Sequence, residues 1–155
     1  MASLLTLTSG LPTRTLKIGE LLIEAAYDAS GDMYILQAGR LTVERDGVAL
    51  ATIATPGALI GEMSVLLGTV HSATVRAEVQ SVVRVIDNAV AFMERTPLVA
   101  LEVATLACAR LDATSALLVE LRKEHSSTSS EQGMLSRILG ALNAPAKATV
   151  ARTHE

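Results

Sequence analysis

Residues 41–54 read LTVERDGVALATIA, and this stretch decides the fold class because it encodes a β-hairpin. Residues 41–45 alternate between apolar and polar side chains, which is typical of a strand with one buried face. The dipeptide Asp46-Gly47 follows, and it favours a two-residue turn in which both residues have positive φ. Residues 48–54 then form the returning strand. The sequence therefore predicts an antiparallel sheet in this part of the chain.

Further short strands are predicted on both sides of this hairpin. Glycine-rich or Pro-Gly turns separate them, as at Pro56-Gly57. The predicted strands cover 15–18, 21–24, 33–37, 74–79 and 82–86. Many short strands with frequent turns favour a β-barrel or jelly roll, here a double-stranded β-helix.

The pattern changes to helical near residue 88. Asn88 is a candidate N-cap for a short helix over 89–94, and Thr96-Pro97 supplies an N-cap and a first helical residue for a long helix over about 97–123. Two apolar stripes follow this long helix. The first has coiled-coil spacing and comprises Leu101, Ala104, Cys108, Leu111, Ser115 and Leu118; the second comprises Val103, Leu106, Ala113, Leu117 and Leu121.

A helix that is apolar on two faces needs two partners. One would be the barrel, and the other is predicted to be the same helix of a second copy, which makes the protein a homodimer. Burial of the helix in one large core is the alternative. The fold class is therefore α+β: a jelly-roll barrel with flanking short helices and a long C-terminal dimerisation helix.

Composition narrows the class of protein. The chain has 155 residues, enough for one domain, and only 2% of them are aromatic, so the core is expected to be aliphatic. The net charge of −3 argues against non-specific nucleic-acid binding.

The single cysteine, Cys108, excludes an intramolecular disulfide and is expected to be a small buried apolar residue. With no apolar run of membrane-spanning length and no signal peptide, the expected location is the cytoplasm.

Three regions are predicted along the chain. They are an N-terminal segment (1–14), a domain that includes the long helix (15–124), and a Ser/Ala-rich tail (125–155). The tail holds a linker at 126–130 and a short amphipathic helix at 134–142, with Leu135, Ile138, Leu139 and Leu142 on one side; the residues beyond are expected to be mobile.

Residues 56–77 carry the chemistry and read PGALIGEMSVLLGTVHSATVRA. A Gly61-Glu62 turn would open a short helical turn, followed by a loop and a strand. Small residues let a ligand approach the backbone, and N–H groups at a helix start can hold an anion. The carboxylate of Glu62 suits a sugar hydroxyl.

This stretch resembles the phosphate-binding cassette of the cyclic-nucleotide-binding domain, which occurs in the catabolite activator protein, protein kinase A regulatory subunits and cyclic-nucleotide-gated channels. The resemblance covers roughly 18–121. Besides the cassette, Gly61-Glu62-Met63-Ser64 with Ser72-Ala73-Thr74-Val75 and Ala77, it rests on Gly19-Glu20, Asp28, Tyr34-Ile35-Leu36 with Gly39, and Gly57.

The resemblance implies a role for each cassette residue. Glu62 would bind the ribose 2′-hydroxyl, backbone amides from Gly61 through Met63 to Ser64 and at Ala73 would hold the cyclic phosphate, and the Ser72 hydroxyl would add a bond. A solvated turn is the alternative role for Glu62.

His71 is a departure from the family, which places an arginine there to pair with the phosphate. Three readings remain open: His71 binds phosphate weakly and with pH dependence, His71 is incidental while backbone and Glu62 hold the ligand, or the pocket has lost nucleotide binding. Arg76 is nearby in sequence, but strand alternation is expected to point it away from the turn.

A second match lies on the long helix. Residues 109–115 read ARLDATS and resemble the helix of the catabolite activator protein, in which the threonine meets the adenine of its own subunit and the serine that of the partner. The resemblance implies these roles for Thr114 and Ser115 and favours cAMP, with cGMP left open. Two small polar residues without such a role are the alternative.

The predicted function is that of a cyclic-nucleotide sensor, with cAMP as its ligand, that signals through rearrangement of its dimer helix and tail to a partner protein. Alternatives are a ligand-free dimerisation scaffold and a regulatory subunit that docks through 134–142. No enzyme activity, cofactor, membrane attachment or direct DNA binding is predicted, because no catalytic motif stands out and the tail is short for a helix-turn-helix module. His71, His125 and His154 lack metal-site spacing.

Overall fold

The computed structural model describes residues 3–27, 30–124 and 129–142, and in it the chain divides into two units, Met1–Val103 and Ala104–Glu155. The described residues of the first unit form eight strands: β1 (Thr13–Leu16), β2 (Leu21–Ile23), β3 (Met33–Ala38), β4 (Leu41–Arg45), β5 (Val48–Ile53), β6 (Leu59–Ile60), β7 (Thr74–Ala77) and β8 (Ser81–Ile86).

The strands form two four-stranded antiparallel sheets. Their orders are β1-β8-β3-β6 and β2-β7-β4-β5, so most neighbours in a sheet are distant in sequence. Sheets with crossed order are typical of the jelly roll. The predicted α+β jelly-roll fold is confirmed.

The core of this unit is aliphatic, as the composition predicted. Leu, Ile, Val, Met and Ala make up its buried apolar side chains, among them Leu16, Leu36, Leu41 and Val83, which are fully buried. Tyr34 is only half-buried and packs at the margin of this cluster. A core without large rings depends on close packing of branched side chains.

The hairpin at 41–54 forms as its sequence indicates. Asp46 and Gly47 have φ of +52° and +76°, which are the positive angles of the tight hairpin turn, and Arg45 pairs with Val48. The register shifts by one residue between Val43 and Glu44, which leaves an extra residue on β5.

Four helices flank or follow the strands at α1 (Leu4–Leu7), α2 (Glu62–Leu67), α3 (Ala89–Arg95) and α4 (Pro97–Glu124), and α5 (Ser129–Leu142) completes the described chain. The sequence predictions did not include α1 or β6, and they placed β1 two residues too late. Asn88 precedes α3, but its side chain makes no capping bond; its backbone N–H donates to Asp32 Oδ1 at 3.2 Å instead.

One residue of the long helix differs from the prediction in its burial. Cys108 is exposed in the single chain, so its expected burial is wrong. Leu101, Leu111 and Leu117 are also exposed, whereas Leu118 is buried. The long helix has apolar residues on two sides, and a single chain does not bury both of them. Cys108 therefore stays exposed.

The tail predictions are only partly covered by the described residues. Helix α5 includes the predicted helix at 134–142 and begins five residues earlier, within the expected linker. Residues 125–128 and 143–155 lie outside the described part, as does Asp28. The three-region division of the chain remains a prediction. No helix among the described residues has both the length and the apolar character needed to cross a membrane.

Candidate ligand-binding site

The turn between β6 and α2 depends on a glycine. Gly61 has φ of +87°, and a Cβ built on it would lie 3.2 Å from Ile23 Cδ1 and 3.5 Å from the Asp32 carbonyl oxygen. The left-handed backbone makes a larger residue strained here, and the close approach leaves little room for a Cβ. Gly61 therefore sets the direction in which α2 begins.

The start of α2 presents backbone groups rather than a capping side chain. No side-chain oxygen caps the helix at Gly61, and the Val65 N–H donates to the Gly61 carbonyl at 3.4 Å. The backbone N–H groups that precede Val65 lie in the first turn of the helix, before the regular helical hydrogen bonds begin. This is the arrangement that the sequence predicted for holding an anion.

Two polar side chains of this turn are buried. Glu62 and Ser64 are each only 6% exposed, whereas Met63 between them is 60% exposed. Burial of a carboxylate or hydroxyl is costly unless its oxygen atoms are hydrogen-bonded. Both side chains therefore need polar surroundings. Met63 can contribute its backbone, but its side chain faces solvent.

The loop after α2 is fastened to the segment that follows β2. The His71 N–H donates to the Tyr27 carbonyl at 3.0 Å, and the His71 carbonyl accepts from the Ala26 N–H at 2.9 Å. This two-way pairing accompanies a left-handed backbone at Ala26, with φ of +67°, which is unusual for a residue other than glycine. The position of the His71 backbone is therefore set by long-range pairing.

The side chain of His71 closes the cassette. Its Nδ1 lies 2.7 Å from Ser64 Oγ, and Ser64 Oγ also lies 3.4 Å from the Gly61 carbonyl oxygen. The contact joins the helical turn to the loop that returns to β7. Two residues assigned to phosphate binding thus hydrogen-bond to each other.

Burial lowers the pKa of the His71 ring below its usual value, so the ring is neutral at neutral pH. A neutral imidazole carries one N–H. If Ser64 donates to Nδ1, that N–H is at Nε2 and can donate to a ligand; if Nδ1 donates to Ser64, Nε2 is an acceptor and disfavours a phosphate. Only the protonated ring donates from both nitrogens.

The remaining cassette residues line the start of β7. Ser72 is exposed and Ala73 is half-buried. Thr74 Oγ1 accepts from the Ala25 N–H at 3.1 Å, which ties this strand to the same segment that pairs with His71. The guanidinium of Arg76 donates to the Gly19 carbonyl at 2.8 Å, in agreement with its predicted orientation away from the turn.

Thr114 and Ser115 belong to the second unit. Each hydroxyl donates to a backbone carbonyl one turn earlier, Thr114 to Arg110 and Ser115 to Leu111, both at 2.8 Å. Such bonds are the usual default of these side chains within helices. Their contacts with adenine remain a prediction.

Sequence reasoning missed the segment Ala25 to Tyr27, which anchors both His71 and Thr74. No local signal marks it, because its role arises from pairing with residues more than forty positions away. Ile23 at the Gly61 turn was also read only as a strand residue. Among the described residues, no three His, Cys, Asp or Glu side chains cluster as a metal site.

A family model for the cyclic nucleotide-binding domain matches residues 13–93, a span that contains all eight strands and the cassette. The chain belongs to the cyclic nucleotide-binding domain family. The resemblance inferred from Gly61-Glu62 and Ser72-Ala73 is confirmed at the level of the family.

Solved structures show the same fold. The catabolite activator protein of Thermus thermophilus is 26% identical, with a TM-score of 0.63 over 74% of this chain and 56% of that protein. A cAMP-bound PfPKA-R is 20% identical, with a TM-score of 0.57 over 72% and 37% of the two chains. CBD2 of PKAR with bound Sp-2Cl-cAMPS is 20% identical, with a TM-score of 0.59 over 74% of each chain.

This member of the cyclic nucleotide-binding domain family therefore spans 56% and 37% of the first two relatives. The identities of 20% support a shared fold and nothing more specific. No curated protein matches the chain.

Proposed function

We propose that this chain is a cyclic-nucleotide sensor whose ligand is cAMP. The observation that carries the proposal is the cassette itself: Glu62 is buried at the start of α2, and the side chains of Ser64 and His71 hydrogen-bond to each other. In this proposal Glu62 binds the ribose 2′-hydroxyl. Backbone amides of the α2 turn and of Ala73 bind the cyclic phosphate, with a further bond from Ser72.

The preference for cAMP over cGMP is part of the proposal. It is supported by Thr114-Ser115, the dipeptide that resembles the adenine-contacting pair of the catabolite activator protein. Both hydroxyls can exchange their present backbone bonds for a ligand at small cost, because a helical carbonyl keeps its own N–H partner.

We further propose that the protein acts as a homodimer through α4 and passes the signal to a protein partner in the cytoplasm. The exposed apolar side chains of α4, such as Leu101 and Leu117, support this use of the helix. The protein would act by binding rather than by catalysis. The net charge of −3 favours a protein target over direct contact with DNA.

One observation favours a second candidate, a dimerisation scaffold of the same fold that binds no nucleotide. His71 stands where the family resemblance places an arginine, and its ring is bonded to Ser64 at 2.7 Å. Loss of a permanent charge would weaken phosphate binding by roughly ten- to a hundredfold.

Calorimetric titration with cAMP at about pH 6 and about pH 8, with cGMP alongside, separates these candidates. The free protein holds the His71 pKa low, and a bound phosphate would raise it, so binding takes up a proton. Affinity should therefore increase as the pH falls, by no more than about a hundredfold for one proton over two pH units. Sedimentation equilibrium on the same sample should give the mass of two copies.

Each outcome has a distinct meaning. Tighter binding of cAMP at the lower pH supports a working cassette in which charged His71 replaces arginine. Equal binding at both pH values keeps the sensor but removes His71 from the phosphate. No heat with either nucleotide, from a folded dimer, contradicts the sensor and leaves the scaffold.

A further inference from the structure

The two sheets end in four edge strands, and three of these are protected against pairing with another chain. The edges are β1 and β6 of one sheet and β2 and β5 of the other. An edge strand exposes unpaired N–H and C=O groups, and proteins usually keep such strands short or charged. β6 has two residues and β2 has three. β1 carries Arg14, whose guanidinium donates to Glu20 Oε1 at 2.9 Å and to the Leu21 carbonyl of β2 at 3.4 Å.

β5 lacks these protections. It has six residues, and all of them except Ile53 are exposed. The exposed fraction is 60% for Val48 and 59% for Leu50. Its sequence, VALATI, contains no charged residue and no proline, and no charged residue occurs anywhere from 47 to 61. On the side away from β4, no strand in the described part of the chain pairs with it. β5 is therefore an open apolar edge, which is the kind of surface that accepts another strand.

The charge pattern indicates which strand that is. The chain has a net charge of −3, so two copies repel each other in most orientations. Contact through β5 avoids this repulsion locally, because neither of the two strands carries a charge. A two-fold axis perpendicular to the sheet would place β5 antiparallel to β5 of a second copy, which continues the antiparallel pairing of the sheet. The same apolar side chains then meet from both copies.

The shape of β5 limits the strength of such pairing. Val43 pairs with Ala51 and Glu44 pairs with Ala49, so Leu50 is the extra residue of a bulge. A bulge twists an edge strand and interrupts a ladder that forms on it. Contact between two six-residue strands is also small compared with the roughly 1,200–2,000 Å² that stable interfaces bury. We therefore expect a dissociation constant of about 0.1 mM or weaker.

We propose that β5 is a self-association edge, through which two copies of the chain pair antiparallel and extend the sheet β2-β7-β4-β5 across a two-fold axis. The contact needs no nucleotide and is separate from α4. If α4 forms a dimer as proposed above, β5 joins such dimers into larger assemblies at high protein concentration. If α4 does not, β5 alone gives a dimer. In both cases the β5 contact at least doubles the mass of the particle.

The test uses sedimentation velocity on the full chain between about 10 and 500 μM. A Lys-edge variant carries Ala49→Lys with Thr52→Lys, and a Glu-edge variant carries Ala49→Glu with Thr52→Glu; both positions are exposed. The wild type should gain mass as its concentration rises. Each variant alone places like charges across the contact and should stay at about half or less of the mass that the wild type reaches. An equimolar mixture of the two variants brings lysine next to glutamate and should recover the larger mass.

The control carries Thr13→Lys with Thr15→Lys on β1, an edge strand that is also exposed and already holds a positive charge. It should associate as the wild type does. Loss of association in this control as well would overturn the proposal, because added charge anywhere on the molecule would then explain the result. Recovery in the mixture distinguishes a broken contact from misfolding, since two misfolded variants would not restore each other.

Two further outcomes overturn the proposal. One is a wild type whose mass equals that of the Lys-edge variant up to about 500 μM, which would leave β5 free for an extended segment of another protein. The other is a mixture that keeps the mass of the single variants. Neither outcome concerns cAMP binding, because calorimetric titration tests that separately.

Discussion

Gly39→Ala is expected to lower the free energy of unfolding by about 2–5 kcal/mol. Gly39 has φ of +104°, and an added Cβ would lie 2.6 Å from Ser81 Cα and would also overlap Ser81 Oγ. The clash involves backbone, so no side-chain rotation relieves it. Ser81 is fully buried, and its hydroxyl bonds the Arg40 N–H at 3.0 Å and the Val79 carbonyl at 2.8 Å, so a shift would break both.

Gly19→Ala is the matched control. Gly19 also has a left-handed backbone, with φ of +81°, but a Cβ there meets nothing within 4 Å. Its cost should be limited to backbone strain of about 1 kcal/mol. Urea unfolding of both variants measures the difference. If the two alanine variants proved equally stable, the close approach of Gly39 to Ser81 would be wrong.

Glu62→Gln is expected to weaken cAMP binding by roughly ten- to a hundredfold, because it replaces a charged acceptor with a neutral one of the same shape. The side chain is 6% exposed, so the substitution removes charge without opening a large cavity. Calorimetric titration near neutral pH measures the change.

The control for this variant is Glu94→Gln, which removes the same charge from an exposed position on α3. The control should bind cAMP as the wild type does, and urea unfolding of both variants would show that each retains the fold. Equal affinities of Glu62→Gln and the wild type would remove Glu62 from the ligand and return it to a structural role in the turn.

Local chemistry explains what the sequence could predict. Asp46-Gly47 specifies a turn through its own backbone preferences, so the hairpin and its turn were recovered, whereas the register shift between Val43 and Glu44 was not. Gly61 was recognised from its place in a motif, and the structure shows the positive φ and close packing that demand it. The two-residue strand β6 was missed, because its pairing with Tyr34 and Ile35 alone defines it.

The contacts that shape the site could not be predicted from the sequence for the same reason. His71 was identified as a departure from the family, yet its bond to Ser64 depends on how the loop returns to the helix. The pairing of His71 with Ala26 and Tyr27 needs β2 and β7 to lie side by side. Cys108 was predicted to be buried because a lone thiol is usually a small buried apolar residue, but that tendency does not say which face of a long helix is covered.

The central claim is that the cassette from Gly61 to Thr74 holds the ligand, and amide hydrogen exchange on the wild-type protein tests it most directly. Exchange is measured with and without saturating cAMP, and the hairpin at 41–53 provides an internal reference. The account predicts slower exchange concentrated in peptides that cover 61–64 and 71–74, by about tenfold or more, with the hairpin little changed. Unchanged exchange in those peptides, under conditions where cAMP binding is saturated, would contradict it.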